Sequence, residues 1–158
     1  MSYALRRPYY DGKIQDSDGP IFHSLNPLNG EVLAEVTAAD SAVIDAAVSS
    51  ASAAFTSWSK ISPAERSRIL LRAQKLLRER NDEIACVETD DTGKPFSETS
   101  TVDVVSGADV LEFFASLVAS GGLNGETIQM RRDAYIQTTK EPLGACVGIG
   151  AWNYPIQM

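Results

Sequence analysis

The sequence predicts an α/β fold, and three patterns that follow one another along the chain predict it. Short runs of β-prone residues separated by turn residues come first, and four segments with apolar residues at helical spacing follow. The chain then returns to strand-like patterns and reaches an almost wholly apolar run at 143–150. An unbroken apolar strand is typical of a parallel sheet, because helices cover both of its faces.

The N-terminal strands are marked by their turns. Asp11-Gly12 lies between apolar neighbours in the stretch 9–14, which predicts a hairpin. Strands are predicted at 21–25 and 32–36, because the turn residues Asn-Pro-Leu-Asn-Gly at 26–30 separate them.

Four helices are predicted between the two groups of strands. Each is marked by a capping signal, an apolar stripe or a glycine stop. Their predicted extents are about 40–58, from Ser62 onward, Asn81 to Gly93, and about 97–119. Their predicted inward-facing residues are Val43, Ala47, Ala51, Ala54, Trp58, Ile69, Ala73, Leu76, Leu77, Ile84, Val87, Val105, Ala108, Leu111, Ala115 and Val118. Gly107, inside the fourth helix, costs up to about 1 kcal/mol relative to alanine, which indicates close packing there.

Strand-like patterns return after the helices. Two strands, 127–130 and 135–139, surround a polar turn, and the apolar run 143–150 follows them. Asn153 is then a candidate cap of a new helix, with Pro155 in its first turn. A buried parallel strand needs partners that only a further crossover unit supplies, so we expect the chain to be the N-terminal part of a longer protein.

Composition and charge exclude several classes of protein. Hydrophobic residues make up 44% of the 158, which argues against intrinsic disorder, and no apolar run reaches the roughly 20 residues of a membrane span. The net charge of −7 argues against binding to nucleic acid or to a membrane surface through bulk charge. The N terminus lacks the apolar stretch of a secretory signal, which predicts a cytoplasmic protein. The basic face of the second helix lacks interleaved aromatic residues and is predicted to be solvated or ion-paired.

Few residues carry recognisable chemistry by themselves. Cys86 and Cys146 have no C-x-x-C or C-x-x-H companion and are predicted to be free, buried thiols. His23 is the single histidine, which excludes a His-rich metal site. Gly-Ile-Gly at 148–150 lacks the third glycine of the dinucleotide fingerprint, and Thr-Gly-Lys at 92–94 lacks the first glycine of a phosphate loop.

Longer stretches carry a resemblance to a known family. Residues 141–155, Glu-Pro-Leu-Gly-Ala-Cys-Val-Gly-Ile-Gly-Ala-Trp-Asn-Tyr-Pro, closely resemble the first Rossmann strand and loop of the aldehyde dehydrogenase superfamily. Residues 97–103 and 107–112 resemble those of betaine-aldehyde dehydrogenases. Further stretches that fit the same superfamily are 26–27, 29–32, 65–70 and 91–94.

The resemblance implies the N-terminal part of an aldehyde dehydrogenase fold, truncated to less than half of a complete member. Residues 1–126 would hold the N-terminal strands and the helical part of the NAD-binding domain. Residues 127–142 would form the strands of an oligomerisation arm. Residues 143–158 would be the first strand and loop of a Rossmann-type sheet.

The resemblance also implies roles for individual residues. The amide of Asn153 would contribute to the oxyanion hole, and Tyr154 would line the substrate tunnel. From the residues alone, Asn153 as a helix cap, Tyr154 as a core residue and Asp91 as a surface carboxylate remain alternative interpretations. The residues implied to contact NAD are Ile149, Gly150, Ala151, Trp152 and Asn153, and those of a monovalent-cation site for K⁺ or Na⁺ are Ser24, Leu25 and Asp91.

The implied function is the NAD-dependent oxidation of betaine aldehyde to glycine betaine, with NADP not excluded. The implied partners are a small-molecule aldehyde and further copies of the chain in a dimer or tetramer, with no nucleic acid and no membrane. The family's cysteine nucleophile and glutamate base lie beyond the part that this chain matches, so the chain alone is expected to be inactive. The alternatives are a truncated interaction subunit without catalysis and a remnant without function.

Overall fold

The computed structural model describes residues 3–158, and the strands of this part of the chain pair as three antiparallel hairpins. Asp11 and Gly12 have φ values of 54° and 73°, which is the left-handed backbone that an Asp-Gly hairpin turn requires. The hairpins predicted from the turn residues are confirmed, with small shifts at the strand ends. The pairs are Tyr9–Tyr10 (β1) with Lys13–Ile14 (β2), Ile21–Leu25 (β3) with Val32–Thr37 (β4), and Thr127–Arg131 (β5) with Ala134–Gln137 (β6).

The helices follow in the predicted order, and the first two begin at the predicted caps, Asp40 and Ser62. Their bounds are Ser41–Trp58 (α1), Pro63–Glu79 (α2), Asn81–Thr92 (α3), Phe96–Glu98 (α4) and Val104–Ala119 (α5), with a π-helical turn at Thr99–Asp103 between α4 and α5. The Asp40 side chain accepts a hydrogen bond from the Val43 amide at 2.9 Å. Ser62 and Glu65 form the reciprocal capping box, and Gly93 ends α3 with a φ of 76°. Where one helix from 97 to 119 was predicted, α4, the π-helical turn and α5 follow one another without a break.

The core lies where α2, α3 and α5 pack together. Ala85, Val104, Ala108 and Ala115 are fully buried there. The guanidinium of Arg78 on α2 crosses to α5 and lies 2.5 Å from Asp109 and 3.1 Å from Glu112. Because these carboxylates pair with Arg78, its pKa is raised above the usual range of an arginine.

Several predicted inward-facing positions were wrong. Leu76 and Val87 remain 57% and 42% exposed, and on α3 the buried residues are Ala85 and Glu88. The buried face of α3 is therefore rotated by one residue, about 100°, from the stripe that apolar character alone predicted. On α1 the predicted stripe is buried only at its start, because Val43 is buried but Ala51, Ala54 and Trp58 are exposed.

The apolar run 143–150 forms no ladder with the other described residues. Leu143, Val147 and Ile149 are 93%, 82% and 93% exposed. The expectation of a buried strand was wrong for the chain as described, because a parallel strand is covered only when neighbouring strands and helices pack on it. Cys86 and Cys146 are free, as predicted, but both are exposed rather than buried. No helix in the part that the structure describes is long and apolar enough to cross a bilayer.

Candidate active-site segment

The segment 149–154, to which the resemblance assigns cofactor and substrate contacts, is an exposed loop. Trp152 is 91% exposed and Tyr154 is 37% exposed, and Asn153 between them is also exposed. Residues 152–157 form turns rather than the helix that the Asn153-Pro155 pattern predicted, and a backbone hydrogen bond of 3.1 Å runs from the Gln157 amide to the Tyr154 carbonyl. The side chain of Asn153 therefore caps no helix in this structure.

The glycines of this loop leave its backbone open to approach. A Cβ built on Gly148 would meet nothing within 4 Å, and one built on Gly150 would meet only Met158 at 3.8 Å. Small residues let a ligand lie directly against the main chain. The backbone at these two glycines is therefore accessible to a ligand.

Tyr154 is held by a lysine from the end of α3. The Lys94 ammonium nitrogen lies 3.3 Å from the centroid of the Tyr154 ring, which is a close cation–π contact. The same nitrogen lies 2.7 Å from Asp103 Oδ2 and 3.8 Å from Glu98 Oε1. Burial disfavours the charge on Lys94, but the hydrogen bond and the charge of Asp103 outweigh it and raise the pKa of Lys94. Lys94 is therefore protonated, and its contacts with Asp103 and Tyr154 hold its side chain in one direction.

Asp103 reaches this position through the π-helical turn. Its carboxyl group is fully buried at the last residue of Thr99–Asp103. Thr99, also fully buried, accepts or donates a hydrogen bond of 2.8 Å with Thr89 and donates one of 3.1 Å to the Ala85 carbonyl. These contacts fasten the π-helical turn to α3, and π-helical turns inside longer helices often mark functional positions.

A second buried carboxyl group, that of Glu88, faces Asp103. Glu88 is 4% exposed, and neither of its carboxyl oxygens has a partner at hydrogen-bonding geometry among the described residues. Burial, followed by the charge of Asp103 and contact with its carboxyl group, raises the pKa of Glu88 to about 7, while Lys94 and the Ile156 amide act in the opposite direction. Glu88 therefore retains its proton into the neutral range, and Lys94 is a cation near both carboxyl groups.

The segment that follows Asn153 is seated on α5. The Cβ that Gly107 lacks would lie 2.8 Å from the carbonyl oxygen of Ile156, so only glycine admits the chain there. Gln157 donates a hydrogen bond from Nε2 to Ser106 Oγ on the same helix. The close packing predicted at Gly107 is confirmed, and its partner is the loop that carries Asn153.

The residues implied for a cation site also meet. Ser24 Oγ donates a hydrogen bond of 2.6 Å to Asp91 Oδ1, and Leu25 follows Ser24 at an irregularity of the β3–β4 ladder. Both Ser24 and Asp91 line a largely apolar cavity of about 390 Å³, and Pro155 lines the same cavity. Two of the residues implied for a cation site therefore share a cavity with the residue that follows Tyr154.

Comparison with known proteins identifies the family. The model of the aldehyde dehydrogenase family matches residues 14–158. The chain belongs to the aldehyde dehydrogenase family. Solved aldehyde dehydrogenases have the same fold over nearly all of the described chain.

Two such structures are of dehydrogenases named for different aldehydes. The indole-3-acetaldehyde dehydrogenase AldA of P. syringae, in complex with NAD⁺ and IAA, is 34% identical with a TM-score of 0.88, over 96% of this chain and 31% of that one. The gamma-glutamyl-gamma-aminobutyraldehyde dehydrogenase of Burkholderia cenocepacia J2315 is 35% identical with the same TM-score and the same coverage. This chain therefore spans about a third of the length of the aldehyde dehydrogenases that it matches.

Three residues of the site were missed by reasoning from the sequence. Thr-Gly-Lys at 92–94 fits the superfamily and part of a phosphate loop, but neither pattern gave Lys94 a role of its own. Glu88 and Asp103 are carboxylates within otherwise apolar helix faces, which was the signal that could have indicated a buried polar cluster. Their meeting depends on the π-helical turn, which no residue pattern indicated.

Proposed function

We propose that the chain is the N-terminal segment of an NAD(P)-dependent aldehyde dehydrogenase and contributes the oxyanion donor Asn153 to its active site. The observation that supports this most is the exposed Asn153, which caps no helix and lies next to a tyrosine held in place by Lys94. A side-chain amide in such a place is available to a substrate. Membership of the family supports the class of reaction.

The chemistry proposed for Asn153 follows from the charge that develops during the reaction. When a thiolate attacks an aldehyde, the carbonyl oxygen becomes an alkoxide, and the Asn153 amide would donate a hydrogen bond to it. A fixed donor of this kind contributes about 3 kcal/mol to the stability of the transition state. Neither Cys86 nor Cys146 matches the family's nucleophile, so the thiolate would come from outside this segment.

The loop 149–152 is proposed to lie against the cofactor. Its open backbone at Gly150, together with the exposed side chains of Ile149 and Trp152, fits a flat ligand that packs on the main chain. Ala151 adds a small side chain to this surface. When bound, NAD(P) would supply the acceptor of the hydride.

Betaine aldehyde is the proposed substrate, and Tyr154 is the residue proposed to bind its trimethylammonium group. Quaternary ammonium groups bind aromatic faces by cation–π attraction. Lys94 occupies one face of the Tyr154 ring, so the substrate would use the opposite face or the ring edge.

A cation site and an oligomeric state are further parts of the proposal. Ser24 and Leu25, through their backbone carbonyls, and Asp91 would bind K⁺ or Na⁺, supported by the Ser24–Asp91 contact. The β5–β6 hairpin would act as an oligomerisation arm in a dimer or tetramer, supported by Tyr135 and Met130, which are 66% and 61% exposed. The cytoplasmic location and the division at 126 and 142 stay predictions.

The proposal is tested on the native protein that carries this segment, isolated with an antibody against it. NAD⁺ and NADP⁺ reduction would be measured with betaine aldehyde, indole-3-acetaldehyde and gamma-glutamyl-gamma-aminobutyraldehyde. We expect activity with betaine aldehyde, lowered about 100-fold in kcat by Asn153→Ala and unchanged by Asn124→Ala. Reduction with none of these aldehydes would contradict the reaction class, and preference for another aldehyde would contradict the substrate.

A second candidate function is favoured by the uncovered apolar surface. Leu143, Val147 and Ile149 are almost fully exposed, and Phe113 is 63% exposed on α5. Exposed apolar patches often mark interaction sites, so the chain could act as a non-catalytic subunit that pairs with a complete dehydrogenase. A native polypeptide with an intact mass near 17.0 kDa that co-purifies with a longer dehydrogenase would support this function. A longer native polypeptide that carries its own nucleophile would contradict it.

A further inference from the structure

Lys94 is the centre of a contact between the helical part and the loop that carries Asn153. Its side chain is 17% exposed, and its ammonium group lies between Asp103, 2.7 Å away, and the Tyr154 ring, 3.3 Å away. Asp103 is fully buried, so its position is fixed by the packing around the π-helical turn. The ammonium group therefore links the fully buried Asp103 to the Tyr154 ring.

Two further contacts hold the same loop on α5. The Ile156 carbonyl rests against the bare Cα of Gly107, and Gln157 hydrogen-bonds to Ser106. These two contacts hold the segment after Tyr154, and neither involves the Tyr154 ring. The Lys94 contact reaches that ring, on the residue next to Asn153.

We propose that Lys94 is a positioning residue, pinned by Asp103, that holds Tyr154 and thereby sets the direction in which the Asn153 amide points. Lys94 touches neither the proposed substrate nor the proposed cofactor, so it acts through Tyr154. The consequence for catalysis rests on the proposed function, whereas the contact itself does not.

The charges around Lys94 suit this role. Asp103 and Glu98 both lie within 4 Å of its ammonium group, and the second carboxyl group nearby, that of Glu88, retains its proton into the neutral range. The ammonium group therefore has one close and fully buried counter-ion, and its remaining open side faces the aromatic ring. Arginine at this position would carry a planar, wider group, and methionine would keep the length without the charge.

The contact is tested by NMR on the chain of residues 1–158. We expect the Lys94 ε-methylene protons to resonate upfield of the other lysines, because they lie over an aromatic face. Tyr154→Phe should keep this shift and Tyr154→Leu should abolish it. Lys94 protons at the position of an exposed lysine in the unmodified chain would overturn the proposal.

Hydrogen exchange tests whether the contact orders the loop. Lys94→Met should make the Gln157 amide exchange about tenfold faster, as expected for the loss of a partly buried cation–π contact. Lys75→Met is the matched control, because Lys75 lies on the surface of α2, 3.6 Å from Glu79, and it should change nothing. Equal exchange in the two variants would overturn the proposal. If Lys94→Met does not fold, the comparison of Tyr154→Leu with Tyr154→Phe decides, because Tyr154 lies on an exposed loop.

The catalytic consequence is tested separately on the native enzyme. Lys94→Met should lower kcat about tenfold with little change in KM, and Lys94→Arg should restore part of the loss. A KM effect without a kcat effect would overturn the positioning role. An intact upfield shift in a protein without dehydrogenase activity would contradict the proposed function but leave the contact established.

Discussion

Gly107 on α5 lies directly beneath the main chain of Ile156, so that a Cβ at this glycine would come within 2.8 Å of the Ile156 carbonyl oxygen. Glycine within a helix normally destabilises it, and its replacement by alanine normally adds up to about 1 kcal/mol. Here the obstructing atom belongs to the backbone, which cannot turn aside as a flexible side chain would. Glycine at this position lowers the stability of the helix, but it leaves room for the loop that carries Asn153.

Gly107→Ala is therefore expected to release the loop rather than to stabilise the chain. The free energy of unfolding should rise by less than the usual helix gain or fall, and the amides of 154–157 should exchange faster. Ser116→Ala, on an exposed position of α5, provides the helix-propensity control. If Gly107→Ala raises the free energy of unfolding by about 1 kcal/mol and leaves the amide exchange of 154–157 unchanged, the close contact between Gly107 and Ile156 is contradicted.

Glu88 predicts a fall in stability between mildly acidic and neutral pH. Its pKa is raised from 4.5 to about 7 in the folded chain. Between these values the folded state holds a proton that the unfolded state has released, so the free energy of unfolding falls as pH rises through this window. The expected loss from this one group is roughly 3 kcal/mol, complete above about pH 7.

Glu88→Gln separates this effect from that of other titrating groups. The glutamine amide is neutral at every pH and can donate to the Asp103 oxygen that has no partner among the described residues. Urea unfolding from pH 4.5 to 8 should show a smaller fall for Glu88→Gln than for the unmodified chain, and greater stability at pH 8. Glu79→Gln, on the surface of α2, is the control. Parallel pH profiles for all three proteins would show that Glu88 is not the buried proton carrier.

The local elements of this fold could be predicted from the sequence because their signals are local. The Asp11-Gly12 turn, the Ser62 box and the Gly93 stop each depend on a few neighbouring residues, and each lies where it was predicted. The buried faces of α1 and α3 could not be predicted from such local signals. Which side of a helix is buried depends on what packs against it, and that is decided by residues far away in the chain.

The candidate site likewise has one part that the sequence predicts and another that depends on the three-dimensional packing. The segment 149–154 could be found because its residues resemble a family's loop, whereas Lys94, Glu88 and Asp103 meet only through the three-dimensional packing of the π-helical turn against α3. For the run 143–150, the sequence pattern predicts a property that the structure does not have. Its apolar character predicts burial, but burial requires neighbouring strands that the described residues do not supply.

The capping box of α2 should contribute measurably to stability. Ser62 Oγ accepts from the Glu65 amide at 3.2 Å, and the Glu65 carboxylate accepts from the Ser62 amide at 3.3 Å. Ser62→Ala removes one of these bonds and should lower the free energy of unfolding by about 1 kcal/mol. Ser52→Ala, at an exposed position within α1, should change it little. Equal stability of the two variants in thermal unfolding would count against a role for the box.

Exposure of both cysteines gives a direct chemical check of the C-terminal segment. Cys86 and Cys146 are free and exposed, so a thiol reagent such as DTNB should modify both in the native chain of 1–158. Cys86→Ser and Cys146→Ser should each leave one rapidly reacting thiol. A chain in which Cys146 reacts only after unfolding would show that 143–150 is covered, contrary to the structure.

Asp91 offers the clearest test of the proposed cation site. A ligand that binds only the folded chain stabilises it by about 2.7 kcal/mol at 100 times its Kd. We therefore expect a higher Tm in KCl or NaCl than in tetramethylammonium chloride at equal ionic strength. Asp91→Asn should abolish the difference because it removes the charge.

Ser24→Ala should keep most of the difference, because the residue is proposed to bind through its backbone carbonyl and loses only the 2.6 Å hydrogen bond to Asp91. Asp133→Asn, in the exposed turn between β5 and β6, controls for general charge effects. If the difference in Tm persists in Asp91→Asn, or if Asp133→Asn removes it equally, the difference arises from bulk electrostatics and not from a cation site.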